Sequence, residues 1–163
     1  MEKIKSTIPD RVNIGNIPVP GRLRLLNSKQ LHAVLATDMD GQPYTSLVAY
    51  ALIPEMKGII FTTPKSTRKY KNILKNRRVS LLIDTRSNTR KDYMSAESLT
   101  ILGNASPLRK KSKQWLTYSD IFLKKHPKLK ELINSSETAL ILVEIVQCLH
   151  VTKFQSVSVW DKN

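Results

Sequence analysis

Residues 58–84, GIIFTTPKSTRKYKNILKNRRVSLLID, decide the fold, because they read in immediate succession as strand, polar loop, short basic helix and strand. Gly58 to Thr63 is a β-branched and aromatic run, and Pro64 ends it, since proline has no amide for a ladder and restricts the residue before it. Ser66 or Thr67 then supplies a hydroxyl that can cap the unpaired amides of a helical first turn. From Thr67 to Lys75 the spacing sets Tyr70, Ile73 and Leu74 on one helical face and leaves Arg68, Lys69, Lys71 and Lys75 on the rest. Val79 to Asp84 returns as a strand. Amides at a helix start carry partial positive charge, and here two hydroxyls and two full cations stand in the same turn, a chemistry suited to a phosphate monoester. Spacing alone leaves two readings standing: an anion site, and a solvated basic helix with an ordinary cap.

Upstream of this unit, Leu31 to Thr37 reads as a strand, Asp38-Met39-Asp40-Gly41 as a turn, and Pro43 to Ile53 as the returning arm of a hairpin. In that arm Leu47, Ala49 and Ala51 fall on one face, Ser46, Val48 and Tyr50 on the other. Arg22 to Gln30 forms a short helix with Leu23, Leu26 and Leu31 near one face, and residues 1–21, with Pro9, Pro18 and Pro20, read as an extended arm. Downstream, Thr85 to Glu97 is a polar, charged loop whose length suggests mobility or a role at the edge of a site. Leu99 to Ala105 resumes strand character, with Gly103 marking a bulge or a close backbone approach. Residues 112–125 place Trp115, Tyr118, Ile121 and Phe122 on one helical face, a second short helix follows from Pro127 to Ile133, and Ala139 to Phe154 is a long, bent strand before a tail at 156–163. Hairpins and repeated strands predict a mainly β fold, an antiparallel sheet closed into a small barrel with flanking helices. A doubly wound sheet fails for want of a G-x-G-x-x-G and of crossover helices.

A chain of 163 residues, 40% of them hydrophobic, suits one domain, here placed at 22–155. Its 27 Lys and Arg against 13 Asp and Glu give a net charge of +14, and no acid stands between Met56 and Ile83. Such a field draws phosphorylated ligands, nucleic acid or anionic membrane without choosing among them. The single cysteine, Cys148, excludes an intramolecular disulfide and reads as a small core residue. With no eighteen-residue apolar run and no secretory leader, the expectation is a cytoplasmic protein with no membrane partner. His32, His126 and His150 lack metal-ligand spacing, so no metal is expected.

The ordered set Asp40-Gly41-Gln42-Pro43, Ser46-Leu47-Val48, Phe61-Thr62-Thr63, Ser66-Thr67-Arg68-Lys69 with Asn72, Asn76 to Ile83, and Leu99 to Ala105 around Gly103 resembles the pyridoxamine 5′-phosphate oxidase-like family of FMN-binding split barrels, over residues 22 to 154. The resemblance implies a homodimer of split antiparallel β-barrels with FMN in the groove between subunits. By position, Ser46, Leu47, Val48 and Ala49, in the stretch reaching Ala51, would line the isoalloxazine; Thr62 and Thr63 would follow the ring and ribityl chain; Ser66, Thr67, Arg68 and Lys69 would hold the phosphate. Ser98 stands where relatives often carry a flavin-contacting Gln. The vitamin B6 oxidase itself is not expected, because its C-terminal paired arginines and Arg-Leu-x-Pro-like end have no counterpart in Ser158 to Asn163. Trp160 reads as a cover for a flavin or partner, or as a hydrophobic plug.

These readings converge on an FMN-dependent oxidoreductase for a small-molecule substrate, with NAD(P)H a candidate electron donor and no catalytic side chain identifiable, since the flavin carries the chemistry. The alternatives are a flavin carrier without turnover and a basic nucleic-acid-binding module. Nucleic acid is disfavoured, because bases need aromatics interleaved with the cations and Tyr70 is assigned to the buried face.

Overall fold

In the computed structural model, the structure describes residues 18–154 and 156–162. Seven strands and five α-helices follow in the order α1 (Val19–Lys29), β1 (His32–Met39), β2 (Gln42–Leu52), β3 (Gly58–Pro64), α2 (Arg68–Lys75), β4 (Arg78–Asp84), α3 (Asp92–Ser95), β5 (Glu97–Pro107), α4 (Lys113–Lys125), α5 (Lys130–Asn134), β6 (Thr138–Thr152) and β7 (Ser156–Asp161). All pairings are antiparallel, in the order β3-β2-β1-β4-β5-β6-β7, and β3 also pairs with β6. That extra pairing closes strands β1 to β6 into the expected barrel, with β7 outside it on β6.

Alternation builds two cores. Inward residues, including Leu35, Tyr50, Phe61, Leu81, Ile101, Ile141 and Cys148, fill the barrel, and Leu23 and Leu26 of α1 join them. Outward Ala51, Ile60, Leu140 and Leu142 are covered by Trp115 and Phe122 of α4 and Ile133 of α5. The β1–β2 hairpin closes on Asp40 and Gly41 at φ 54° and 80°, and the Gly41 amide donates to Asp38 Oδ1 at 3.1 Å. At Gly103 the β5–β6 register shifts, and a Cβ there would lie 2.4 Å from the carbonyl oxygen of Glu144. Gly103 thus marks both a bulge and a close backbone approach.

The structure corrects several expectations. Residues 156–161 are not a tail but the strand β7, which runs along the end of β6 from Gln147↔Asp161 to Thr152↔Ser156. Trp160 packs against the barrel core from β7. Helix α1 begins at Val19, three residues before the expected start; the rest of the proposed arm, residues 1–17, lies outside the described residues. The loop 85–97 contains α3, pinned by Asp92, whose carboxylate accepts from the amides of Ser87, Asn88 and Thr89. Leu31, Leu47 and Leu74 are exposed, and on α2 Asn72 is buried beside Ile73 where Leu74 was expected.

Candidate functional site

Helix α2 starts where β3 stops. Thr67 is its N-cap: Oγ1 accepts from the Tyr70 amide at 3.4 Å, donates to the Pro64 carbonyl at 2.9 Å and lies 2.8 Å from Thr63 Oγ1. The first i to i−4 bond of this turn runs from the Lys71 amide to the Thr67 carbonyl. The amides of Arg68 and Lys69 precede it and have no helical carbonyl to meet. Arg68 projects over Tyr44 of β2, its guanidinium carbon 5.2 Å from the ring centroid. Among the described residues neither Arg68 nor Lys69 forms an ion pair. The turn therefore presents two free donors and two uncompensated cations, an arrangement that suits a bound anion.

Beside this turn the barrel wall is open. The β2–β3 ladder has three pairs and ends at Tyr50↔Phe61, although β2 extends back to Gln42 and β3 on to Pro64. Residues 44–49 and 62–64 flank this gap, and the Arg68–Tyr44 contact places the start of α2 against its β2 side. The predicted residues divide by strand parity. Leu47 and Ala49 face outward with Thr62, and Leu47 is 66% exposed. Val48 and Thr63 point inward and are buried, and the Thr63 hydroxyl is occupied with Thr67, so these two offer backbone to the gap. Ser46 Oγ is buried there without a hydrogen-bond partner. An orphaned buried hydroxyl is a costly feature that a ligand's polar atom would relieve.

Two contributors received no role from the sequence, although Asn72 belongs to the ordered set that carries the resemblance. Tyr44 had the signal of sharing Ser46's parity two residues earlier. Asn72 donates from Nδ2 to Thr37 Oγ1 at 3.0 Å and thereby ties α2 to β1; its Oδ1 is a second buried atom without a partner.

Ser98 is not part of this gap. It pairs with Asp84 and Val151 near the far end of β6, whereas the α2 turn adjoins Thr138 at the start of that strand. There Ser98 lines a cavity of about 620 Å³ under the 85–97 segment. Glu97, at its edge, is bridged by both Arg22 of α1 and His150 of β6, the latter at 2.8 Å. Burial raises the Glu97 pKa, but the hydrogen bonds and charges of Arg22 and His150 outweigh it and the net shift is downward. His150 is thus a buried hydrogen-bond partner, and His126, buried under α4, meets the Tyr50 carbonyl through Nε2 at 2.7 Å. Among the described residues, no cluster of three His, Cys, Asp or Glu could hold a metal, and no helix is long and apolar enough to cross a membrane.

A six-stranded antiparallel barrel, open between β2 and β3 with a short basic helix starting at that opening, defines a split-barrel class of protein. The chain belongs to the pyridoxamine 5′-phosphate oxidase family, whose model matches residues 22–151. Solved structures share the fold. A heme binding protein from Mycobacterium smegmatis superposes with a TM-score of 0.78 at 16% identity, over 89% of this chain and 58% of that one. A heme storage protein from Vibrio cholerae gives 0.71 at 17% identity, covering 83% and 95% of the two chains. A FAD-binding protein from Mesorhizobium loti gives 0.66 at 17% identity, covering 82% and 92%. No curated protein matches.

Proposed function

We propose that this protein is an FMN-binding flavoprotein, an oxidoreductase acting on a small molecule, with the flavin held between two copies of the chain. The observation that carries the reading is the α2 turn: free amides at Arg68 and Lys69, and two unpaired cations, set at an opening in the barrel wall. Ser66, Thr67, Arg68 and Lys69 hold the phosphate. Thr62 and the outward Leu47 and Ala49 offer surface for the ring system, and Ser46 and Val48, of the opposite parity, offer backbone to it. The separation of Ser98 from the turn supports the dimer, since a flavin that meets both residues must do so across two copies. Bound FMN would supply the reaction's capacity to accept and return a hydride or single electrons. The chain's part is to fix the phosphate, orient the ring against strand surface and stabilise negative charge with backbone donors.

Purified protein should be yellow, and denaturation should release FMN rather than FAD. Replacing both Arg68 and Lys69 by Ala should lower flavin occupancy at least about tenfold, for the loss of two charge-assisted contacts, with the fold unchanged by circular dichroism. A colourless protein that takes up no added FMN at low ionic strength would overturn the reading. Turnover with NAD(P)H in the presence of an acceptor separates an enzyme from a carrier.

A further inference from the structure

The amine of Lys125, in the last turn of α4, is held against the body of the molecule rather than in open solvent. Its Nζ stands 3.7 Å from the centroid of the fully buried Tyr50 ring and donates to Asn27 Oδ1 of α1 at 2.9 Å. The same Oδ1 accepts from the Leu52 amide at 3.0 Å, so β2 fixes the carboxamide that in turn fixes the amine. Among the described residues Lys125 reaches no carboxylate. A lysine ammonium is strongly hydrated, and this one has exchanged much of its water for an aromatic face and one amide oxygen.

Lys125 lines a cavity of about 440 Å³ between α1, β2 and α4, whose walls include Leu31, Ala51, Leu52 and Ile121. At Ala51 and Leu52 strand β2 is already laddered to β3, so the cavity lies beyond the open gap beside residues 44–49. Lys124, the other charged residue of the wall, reaches Asp120 at 4.0 Å. The titratable neighbours are the Tyr50 phenol, kept neutral because burial raises its pKa, and His126, whose Nε2 meets the Tyr50 carbonyl and whose charge Lys125 opposes. Among the described residues none of these stabilises an ammonium by opposite charge. Burial accordingly lowers the Lys125 pKa to about 8, so amine and ammonium coexist near neutral pH. A positioned amine that opens on an apolar chamber is equipped to attack a carbonyl carbon.

We infer that Lys125 captures aldehydes bearing a bulky apolar group, reversibly and as an imine, with that group seated against Leu31, Leu52 and Ile121. The nitrogen lone pair adds to the carbonyl carbon and a proton passes from nitrogen to the carbonyl oxygen. That oxygen then leaves as water with the second nitrogen proton, forming the C=N bond with no net oxidation or reduction. Incubation of the full chain with 2-naphthaldehyde, fixing of imines with cyanoborohydride and peptide mass mapping test the assignment. At pH 7.5 Lys125 should be modified at least about tenfold faster than the exposed Lys124, with a rate that saturates in 2-naphthaldehyde. Its lead should shrink between pH 7 and pH 10, as ordinary exposed lysines also lose their protons. Asn27→Asp keeps the acceptor for the Leu52 amide but sets a carboxylate beside Nζ, and should slow Lys125 at pH 7.5 by about tenfold by holding the ammonium. Lys125→Arg keeps the charge without the amine and should lose the saturable uptake with the fold unchanged by circular dichroism. Modification of Lys125 no faster than Lys124, a rate that stays linear in 2-naphthaldehyde, or indifference to Asn27→Asp would overturn the assignment.

Discussion

At the scale of single residues, Thr67 and His126 carry consequences that can be measured. The Thr67 hydroxyl satisfies the Tyr70 amide, reaches the Pro64 carbonyl and meets Thr63, so one oxygen fixes the turn on which the cations stand. Thr67→Ala should cost about 1 kcal/mol in urea unfolding, the usual worth of an N-cap, and Thr67→Ser should recover most of it. Equal stability of Thr67→Ala and the parent chain would show that the cap is idle. His126 behaves differently. Burial lowers its pKa from the ordinary 6.5, the charges of Lys125 and His32 lower it further, and the bond to Tyr50's carbonyl opposes them in part. The unfolded chain therefore takes up a proton that the folded chain refuses, so stability is whole above about pH 6.5 and falls as pH drops below it toward the folded pKa. Glu97, whose pKa is also depressed, adds its own loss as pH falls below the ordinary carboxylate value of 4.5. Unfolding midpoints between pH 8 and pH 5 should slope down in the parent and be flatter in His126→Gln, whose amide can still donate to Tyr50 O; parallel slopes would exclude His126 as the source.

At the scale of elements, what was legible in the sequence followed the chemistry of single segments. The β3-α2-β4 unit was readable because Pro64, the capping hydroxyls and the 3.6-residue period act within a few residues of one another. Asp40 and Gly41 announced the hairpin for the same reason. Spacing could not decide between Asn72 and Leu74, because which side of α2 is buried depends on where Thr37 of β1 lies, and that is a tertiary fact. Where Ser98 stands relative to the other candidates was undecided on similar grounds: its chain position is silent about which end of β6 it meets. β7 was missed because a six-residue polar-apolar alternation after a turn has the same local signature as a frayed end. Its role is nonetheless clear in the sheet, where it covers residues 147–152 of β6. Deleting residues 155–163 should expose that edge, lower the melting temperature by several degrees and promote self-association seen by light scattering, as bare strand edges do. A truncated chain as stable and monodisperse as the parent would mean that β7 is dispensable to the barrel.

At the scale of the molecule, the net charge of +14 gives the proposed flavin site a testable electrostatic signature. Arg68 and Ser66 are exposed and Lys69 half-buried, so a phosphate bound there remains in contact with solvent ions. Attraction across such a surface is screened over a Debye length of about 10 Å at 0.1 M salt and about 3 Å at 1 M. Raising the ionic strength over that range should weaken FMN binding by about tenfold or more, since two cations and the wider positive field all lose reach. Riboflavin has the same ring and no phosphate, so its weaker binding should be almost indifferent to salt. The Arg68→Ala/Lys69→Ala variant should bring the two ligands together, lowering FMN toward riboflavin's affinity and flattening its salt dependence, while riboflavin itself is unaffected. Fluorescence quenching of each flavin on titration with protein reads all three quantities. If FMN and riboflavin bound equally at low salt, the phosphate would contribute nothing and the α2 turn would not be its seat. If FMN bound more tightly but kept its salt dependence in the double variant, the phosphate would rest on a different cluster of cations.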